Sequence, residues 1–187
     1  MQSASLVVSV CTILLCGSAT VRRTPLAQTT KATKSTPVIL EKDEGERRVY
    51  RFGDKSPFTL KVDPQNGGSQ HLVLITSDFA PGIPIPAHKH PYADEILFLR
   101  AGIARVHLGD TVREVHAGAT IFIPAGTWVS LDRIGSEPMS LIAIFSEPGF
   151  EDYMRDESAR EGENIVPLSD AELDAIRKKH SHAAIWQ

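Results

Sequence analysis

A chain of 187 residues with 42% hydrophobic and 23% charged side chains is long enough for one domain with a real core and too short for two comfortable ones. That balance excludes a disordered chain. A formal charge of −3 with a pI near 6.2 excludes the basic footprint of a nucleic-acid binder and leaves a small molecule as the expected partner.

Residues 1–20 carry no charged side chain, and positions 6–15 form an apolar run broken only by Ser9, Cys11 and Thr12. The run is shorter than the roughly 20 residues a bilayer span needs, and it suits the core of a signal peptide. Gly17, Ser18 and Ala19 supply small residues for cleavage. The expected protein is secreted or periplasmic, with no membrane span in the mature domain. An anchored or lipidated form fits less well, since Leu15 precedes Cys16 where lipoprotein sites prefer a small residue. Both cysteines, Cys11 and Cys16, fall in this segment, so the mature domain has no thiol to pair or to ligate a metal. Residues 21–37, rich in Thr, Ser, Lys and Ala, read as a linker.

From residue 38 to 148 short apolar or alternating runs are separated by turn residues. The predicted strands cover 48–52, 58–62, 71–79, 95–101, 104–108, 111–115, 120–123, 129–133 and 139–145, with a loop at 64–68. Many short strands with closely spaced Gly, Pro and Asp turns indicate an all-β sandwich or barrel. Residues 141–145 are apolar on both parities, which predicts burial of the second face against another sheet or another subunit.

Residues 149–187 read as a helical extension. Ser169 and Glu172 form a capping box, Leu168 and Leu173 a hydrophobic staple, and Lys178 and Lys179 favour the last turn. Residues 150–159 suit a second short helix. These elements read as packing, with no chemistry of their own.

The chemistry gathers at His88, His90 and Glu95. Histidines at i and i+2 on a strand project from one face, with Cα atoms about 6.5–7 Å apart, and so converge on one ion. Pro91 to Asp94 make the turn, and Glu95 opens the next strand, able to point into the same space. Leu97 and Leu99 share its parity and place the cluster at the mouth of an apolar cavity. Two imidazoles and a carboxylate with open positions are what a non-haem Fe(II) oxygenase requires, and the same set binds Mn, Ni, Cu or Zn. A divalent transition metal is the expected cofactor.

The spacing resembles the cupin family. Gly82, His88, His90, Glu95 and Gly102 occupy the five fixed positions of the family's first motif, and Gly118, Pro124 and Gly126 match its second. The resemblance covers roughly residues 45–148 and implies a double-stranded β-helix, or jelly-roll, barrel followed by a short helical tail. The second motif's histidine position holds Val129 and its asparagine position Arg133. At most three of the four familiar ligands are therefore present. Either His88, His90 and Glu95 are a complete facial triad, or His116, His180 or His182 fills the gap, or the metal site has decayed into a binding pocket.

Small single-barrel cupins of the bacterial quercetin-dioxygenase type are the nearest likeness. It implies a metal-dependent dioxygenase acting on a polyhydroxylated substrate, with Glu95 as ligand or as catalytic base, and a homodimer. The alternatives are a cupin that binds a small molecule without turnover, and an isomerase or epimerase. Among other residues, His107 and Arg105 read as surface positions, Trp128 as rim packing or a substrate stack, and Phe98, Phe122 and Phe145 as core. Gly102, Gly118 and Gly126 serve turns with φ above zero.

Overall fold

The structure, a computed structural model, describes residues 35–187 apart from 54 and 83. The expected signal peptide and most of the linker lie outside the described residues. Ten strands run in chain order: β1 (Glu46–Tyr50), β2 (Pro57–Val62), β3 (Val73–Phe79), β4 (Ile85–Lys89), β5 (Glu95–Ala101), β6 (Ile103–Leu108), β7 (Thr111–His116), β8 (Thr120–Ile123), β9 (Val129–Ile134) and β10 (Met139–Phe145). The tail adds α1 (Phe150–Asp156), β11 (Ser158–Arg160), α2 (Asp170–Lys179) and β12 (Ile185–Trp186).

The strands form two antiparallel sheets, one ordered β11-β1-β2-β3-β10-β5-β8 and the other β12-β4-β9-β6-β7. Alternation along β5 shows why. Glu95, Leu97 and Leu99 are buried while Ile96 and Phe98 face out, the period-2 pattern of a strand with one face on the core. Leu97, Leu99 and Leu141 of the first sheet meet Ala104, Val106, Val129 and Leu131 of the second in one buried cluster. Turn chemistry sets where the strands end. At Gly102 φ is +88°, and a Cβ there would stand 2.8 Å from the Pro138 carbonyl oxygen, so the β5–β6 corner excludes any side chain.

The second core cluster depends on the tail. Phe58, Leu60, Val73, Ile75 and Phe145 of the barrel pack with Tyr153 and Met154 of α1, and Phe150, Ile176 and Trp186 lie against them. Ion pairing holds α1 in place: Arg155 Nη2 donates to Glu46 Oε2 at 2.8 Å and to the fully buried Asp63 Oδ2 at 2.6 Å. The capping box of α2 forms as read, Ser169 Oγ accepting from the Glu172 N–H and Glu172 Oε2 from the Ser169 N–H.

Three readings are corrected. The first tail helix ends at Asp156, before residue 159, because Ser158–Arg160 pairs with β1 and gives that edge strand a partner. Ile185–Trp186 likewise pairs with β4, so the tail contributes a strand to each sheet as well as two helices. Phe98 and Phe122 face outward at 38% and 55% exposure, and of the three phenylalanines only Phe145 is core.

Candidate metal centre

β4 and the β4–β5 turn place the cluster. His88 lies within β4, His90 just after it and Glu95 at the first position of β5, and all three side chains are buried. The turn between them is held at both ends. Asp94 Oδ1 accepts from the Ala125 N–H at 2.9 Å, the Asp94 carbonyl from the Ser146 N–H at 3.0 Å, and the His90 carbonyl from the Gly126 N–H at 2.7 Å. Gly126 has φ of +78°, a conformation that lets its N–H reach back to the histidine segment.

One potential ligand atom from each of His88, His90 and Glu95 falls within 4.8 Å of the others. Each histidine is oriented by a carbonyl, which can only accept. His88 Nδ1–H donates to the Pro86 oxygen at 2.8 Å and His90 Nδ1–H to the Ala183 oxygen at 2.8 Å. That fixes both tautomers and leaves each Nε2 lone pair available, the usual way metal-binding histidines are prepared. His90 Nε2 stands 3.6 Å from Glu95 Oε2, and both atoms are buried without a hydrogen-bond partner.

Burial sets the protonation. It lowers His88, against the pull of the Pro86 carbonyl, and lowers His90 to about 4, with His88 adding to the effect. Both imidazoles are neutral near pH 7, as ligands must be. Burial pushes the Glu95 carboxyl up to about 8, and no cation among the described residues offsets it. A dication is the group that reverses this penalty while satisfying the two orphaned atoms. The donor set therefore fits a metal ion.

Residues 75–145 match the cupin domain family. Over that stretch the chain is similar to cupin domains. It is similar to the uncharacterized protein YrkC of Bacillus subtilis, 27% identical over 85 residues that cover 42% of this chain and 46% of that relative. The matched region thus spans about half of YrkC. Among solved structures, a predicted oxalate decarboxylase from Thermotoga maritima superposes with a TM-score of 0.52 at 16% identity, covering 60% of this chain and all of that one. This second likeness shows the fold, a small cupin jelly roll.

Within the barrel, Val129 holds the position at which the resemblance leads one to expect a fourth ligand. It is the register partner of His88 across β4 and β9, and at 1% exposure it belongs to the apolar core. None of the three histidines offered as a substitute, His116, His180 and His182, takes over. His116 is exposed beside Glu114, His182 is exposed, and His180 Nε2 binds Asp156 Oδ2 at 2.7 Å. Among the described residues, the one cluster able to hold a metal is His88, His90 and Glu95.

A cavity of about 110 Å³ adjoins the cluster, lined by His88 and Glu95, by barrel residues such as Leu97 and Leu131, and by tail residues. The tail's part was not legible as chemistry. Trp186 stacks on the His88 imidazole with centroids 4.7 Å apart, and Phe150 packs edge-on against His90 at 4.6 Å. The tryptophan of the cavity is Trp186; Trp128 instead lies under the Lys89 ammonium at 4.9 Å. Arg105 and Arg133 do not line the cavity, and His107 pairs with Asp132 at 3.1 Å on the partly exposed face.

Proposed function

We propose that this cupin domain is a metal-dependent enzyme in which His88, His90 and Glu95 hold a divalent transition metal and a small organic molecule reacts in the adjoining cavity. The observation that carries this reading is the pair of carbonyl-locked imidazoles whose Nε2 atoms and the Glu95 carboxylate share one buried point. Fe, Mn, Ni, Cu and Zn all suit such donors, and a redox-active member of that series would supply dioxygen activation. Non-haem dioxygenase is accordingly the activity put forward.

The chain's own residues define the rest. Val129, the register partner of His88, contributes no donor. Leu97, Leu131 and Phe145 line the barrel side of the cavity with apolar surface. Glu95 is either the third ligand or, uncoordinated, a carboxylate of raised proton affinity able to take a proton from a substrate hydroxyl. A binding module without turnover is the second reading, favoured by the same Val129.

Metal analysis of the purified full-length chain, paired with oxygen uptake, separates them. Stoichiometric metal that disappears in His88→Ala, with oxygen consumed alongside a small enolisable or hydroxylated compound, supports the enzyme. Stoichiometric metal without oxygen uptake leaves an isomerase, and protein that retains no metal under any loading refutes the metal enzyme and points to the binder. We further propose export directed by residues 1–20, and a homodimer formed through the outer face of the seven-stranded sheet. On that face Ile96 registers with Phe122 and with Ile144, and Phe98 with Ile142.

A further inference from the structure

Beside the cluster, the cavity is lined by polar side chains that the barrel motif does not explain. Tyr153, Glu157, Arg177 and Trp186, all from the tail, line the same cavity as His88 and Glu95. Tyr153 and Glu157 are 1% and 2% exposed. Tyr153 shares hydrogen bonds with Glu157 and with Arg177, while Arg177 Nε and Trp186 Nε1 are buried without a hydrogen-bond partner among the described residues. Buried polar atoms left unpaired are costly, and two such donors lining one cavity mark a place where a ligand completes them.

Their chemistry is one-sided. Arg177 Nε and Trp186 Nε1 can only donate, and Tyr153 carries a hydroxyl hydrogen. Arg177 is the fixed charge at this wall. One terminal nitrogen approaches the exposed Asp174 at 3.9 Å, and the guanidinium lies over the Trp186 ring at 5.2 Å. Burial pushes Glu157 up to about 8, outweighing the nearby Tyr153 hydroxyl and Arg177, which pull it down. Near pH 7 this carboxyl is itself an O–H donor. Two unpaired donors, one of them on a cation, call for an anionic acceptor.

We propose that Tyr153, Glu157, Arg177 and Trp186 form a carboxylate-binding subsite, so that the substrate is a small organic acid anchored on the tail with its other end at the His88–His90–Glu95 cluster. The second half rests on the metal reading above; the subsite itself does not. Size limits the acid. The cavity of about 110 Å³ is smaller than the ~150 Å³ cavity known to take benzene, so a fully enclosed ligand has roughly six non-hydrogen atoms. Trp186 connects the two ends, one face stacked on His88 and the Arg177 guanidinium 5.2 Å from its ring centroid.

The test uses full-length protein stripped of metal, so that no carboxylate can bind by chelation. The chain has two tryptophans, and Trp128→Phe leaves Trp186 as the only reporter. Titration with butanoate should change Trp186 fluorescence saturably, and the isosteric butanamide should bind on the order of tenfold more weakly, as expected for loss of a charge-assisted hydrogen bond. Arg177→Gln should weaken butanoate by a similar factor, Tyr153→Phe by less, and Asp174→Asn on the exposed side of α2 should leave it unchanged. Equal binding of acid and amide, indifference to Arg177→Gln, or no butanoate binding overturns the subsite. Metal content is measured on the same samples. Arg177→Gln that loses butanoate yet takes up metal supports both readings, and butanoate binding in a protein that never takes up metal keeps the subsite and discards the metal centre.

Discussion

The barrel and the tail contribute to one cavity by different means. β4, β5 and β9 place the His88–His90–Glu95 cluster through strand register and two glycine-bearing turns, so spacing along the chain fixes spacing in space. The tail reaches the same cavity through long-range packing: Ala183 supplies a carbonyl to His90, and Trp186 a ring to His88, from more than 90 residues away. Donor atoms thus come from the barrel, while orientation and enclosure come largely from the tail. If that division holds, damage to the barrel should remove the metal, and damage to the tail should weaken it and alter what is bound beside it.

The largest effect should come from the barrel. His90→Ala removes one of three donors and leaves Glu95 buried without it. Metal affinity should fall by well over the 10- to 100-fold typical of second-shell losses, measured by metal titration and elemental analysis. Retained stoichiometric metal in this variant would show that the cluster is not the binding site.

Removing residues 183–187 tests the other side of the comparison. His90 loses its Nδ1 acceptor and His88 its stacking partner, while all three donors remain. Affinity should drop about 10- to 100-fold, the range expected for loss of an orienting hydrogen bond. Buried Ala184 also goes, so thermal unfolding should shift down as a separate readout. Unchanged affinity would demote the tail to a lid. The converse change, Val129→His, adds a donor opposite His88 and should tighten metal retention about tenfold or more.

This contrast also explains what was legible beforehand. Nine of the strands and the donor cluster follow from local signals: alternation along β5, glycine at positions such as 102 and 126, and histidines two apart. β11 and β12 escaped because three- and two-residue strands carry no period and are defined only by their partners, β1 and β4. Glu157 and Arg177 read as ordinary helix-surface charges, since nothing in their neighbours announces the cavity they line. Trp186 is a lone aromatic after Ala183, Ala184 and Ile185 and gives no more warning. Phe98 and Phe122 were misread as core because hydrophobicity alone does not say which face of a sheet is covered.

Glu157 offers a pH test confined to the tail. Its carboxyl is raised from an ordinary 4.5 to about 8 by burial, so between those values the folded state binds more protons than the unfolded one. Stability attributable to this group is fully present below pH 4.5 and declines as pH rises through 8. Metal-free wild type should therefore lose stability relative to Glu157→Gln across that window, on the order of a few kcal/mol at most. Parallel curves for the two proteins would mean the carboxyl is ionised and paired throughout, which would weaken the donor-rich picture of the subsite.

The smallest effect on stability is expected on the outer sheet face, remote from both halves of the cavity. Ile96, Phe98 and Phe122 are exposed there, while Leu74, Ile142 and Ile144 are half-buried beside them. Phe98 registers with Ile142 on β10 and Thr120 on β8, near the centre of the stripe. Replacing it with Glu removes no buried packing, so the unfolding free energy of the monomer should move by only about 0.5 kcal/mol. Across a self-associating face, however, a carboxylate would meet its own symmetry mate in an apolar contact and prevent pairing. Sedimentation velocity should then show a dimer in the wild type and a monomer in Phe98→Glu, with metal content unchanged in both. A wild type that sediments as a monomer would leave this stripe without a partner of its own kind, and the cavity would stand as a property of the single chain.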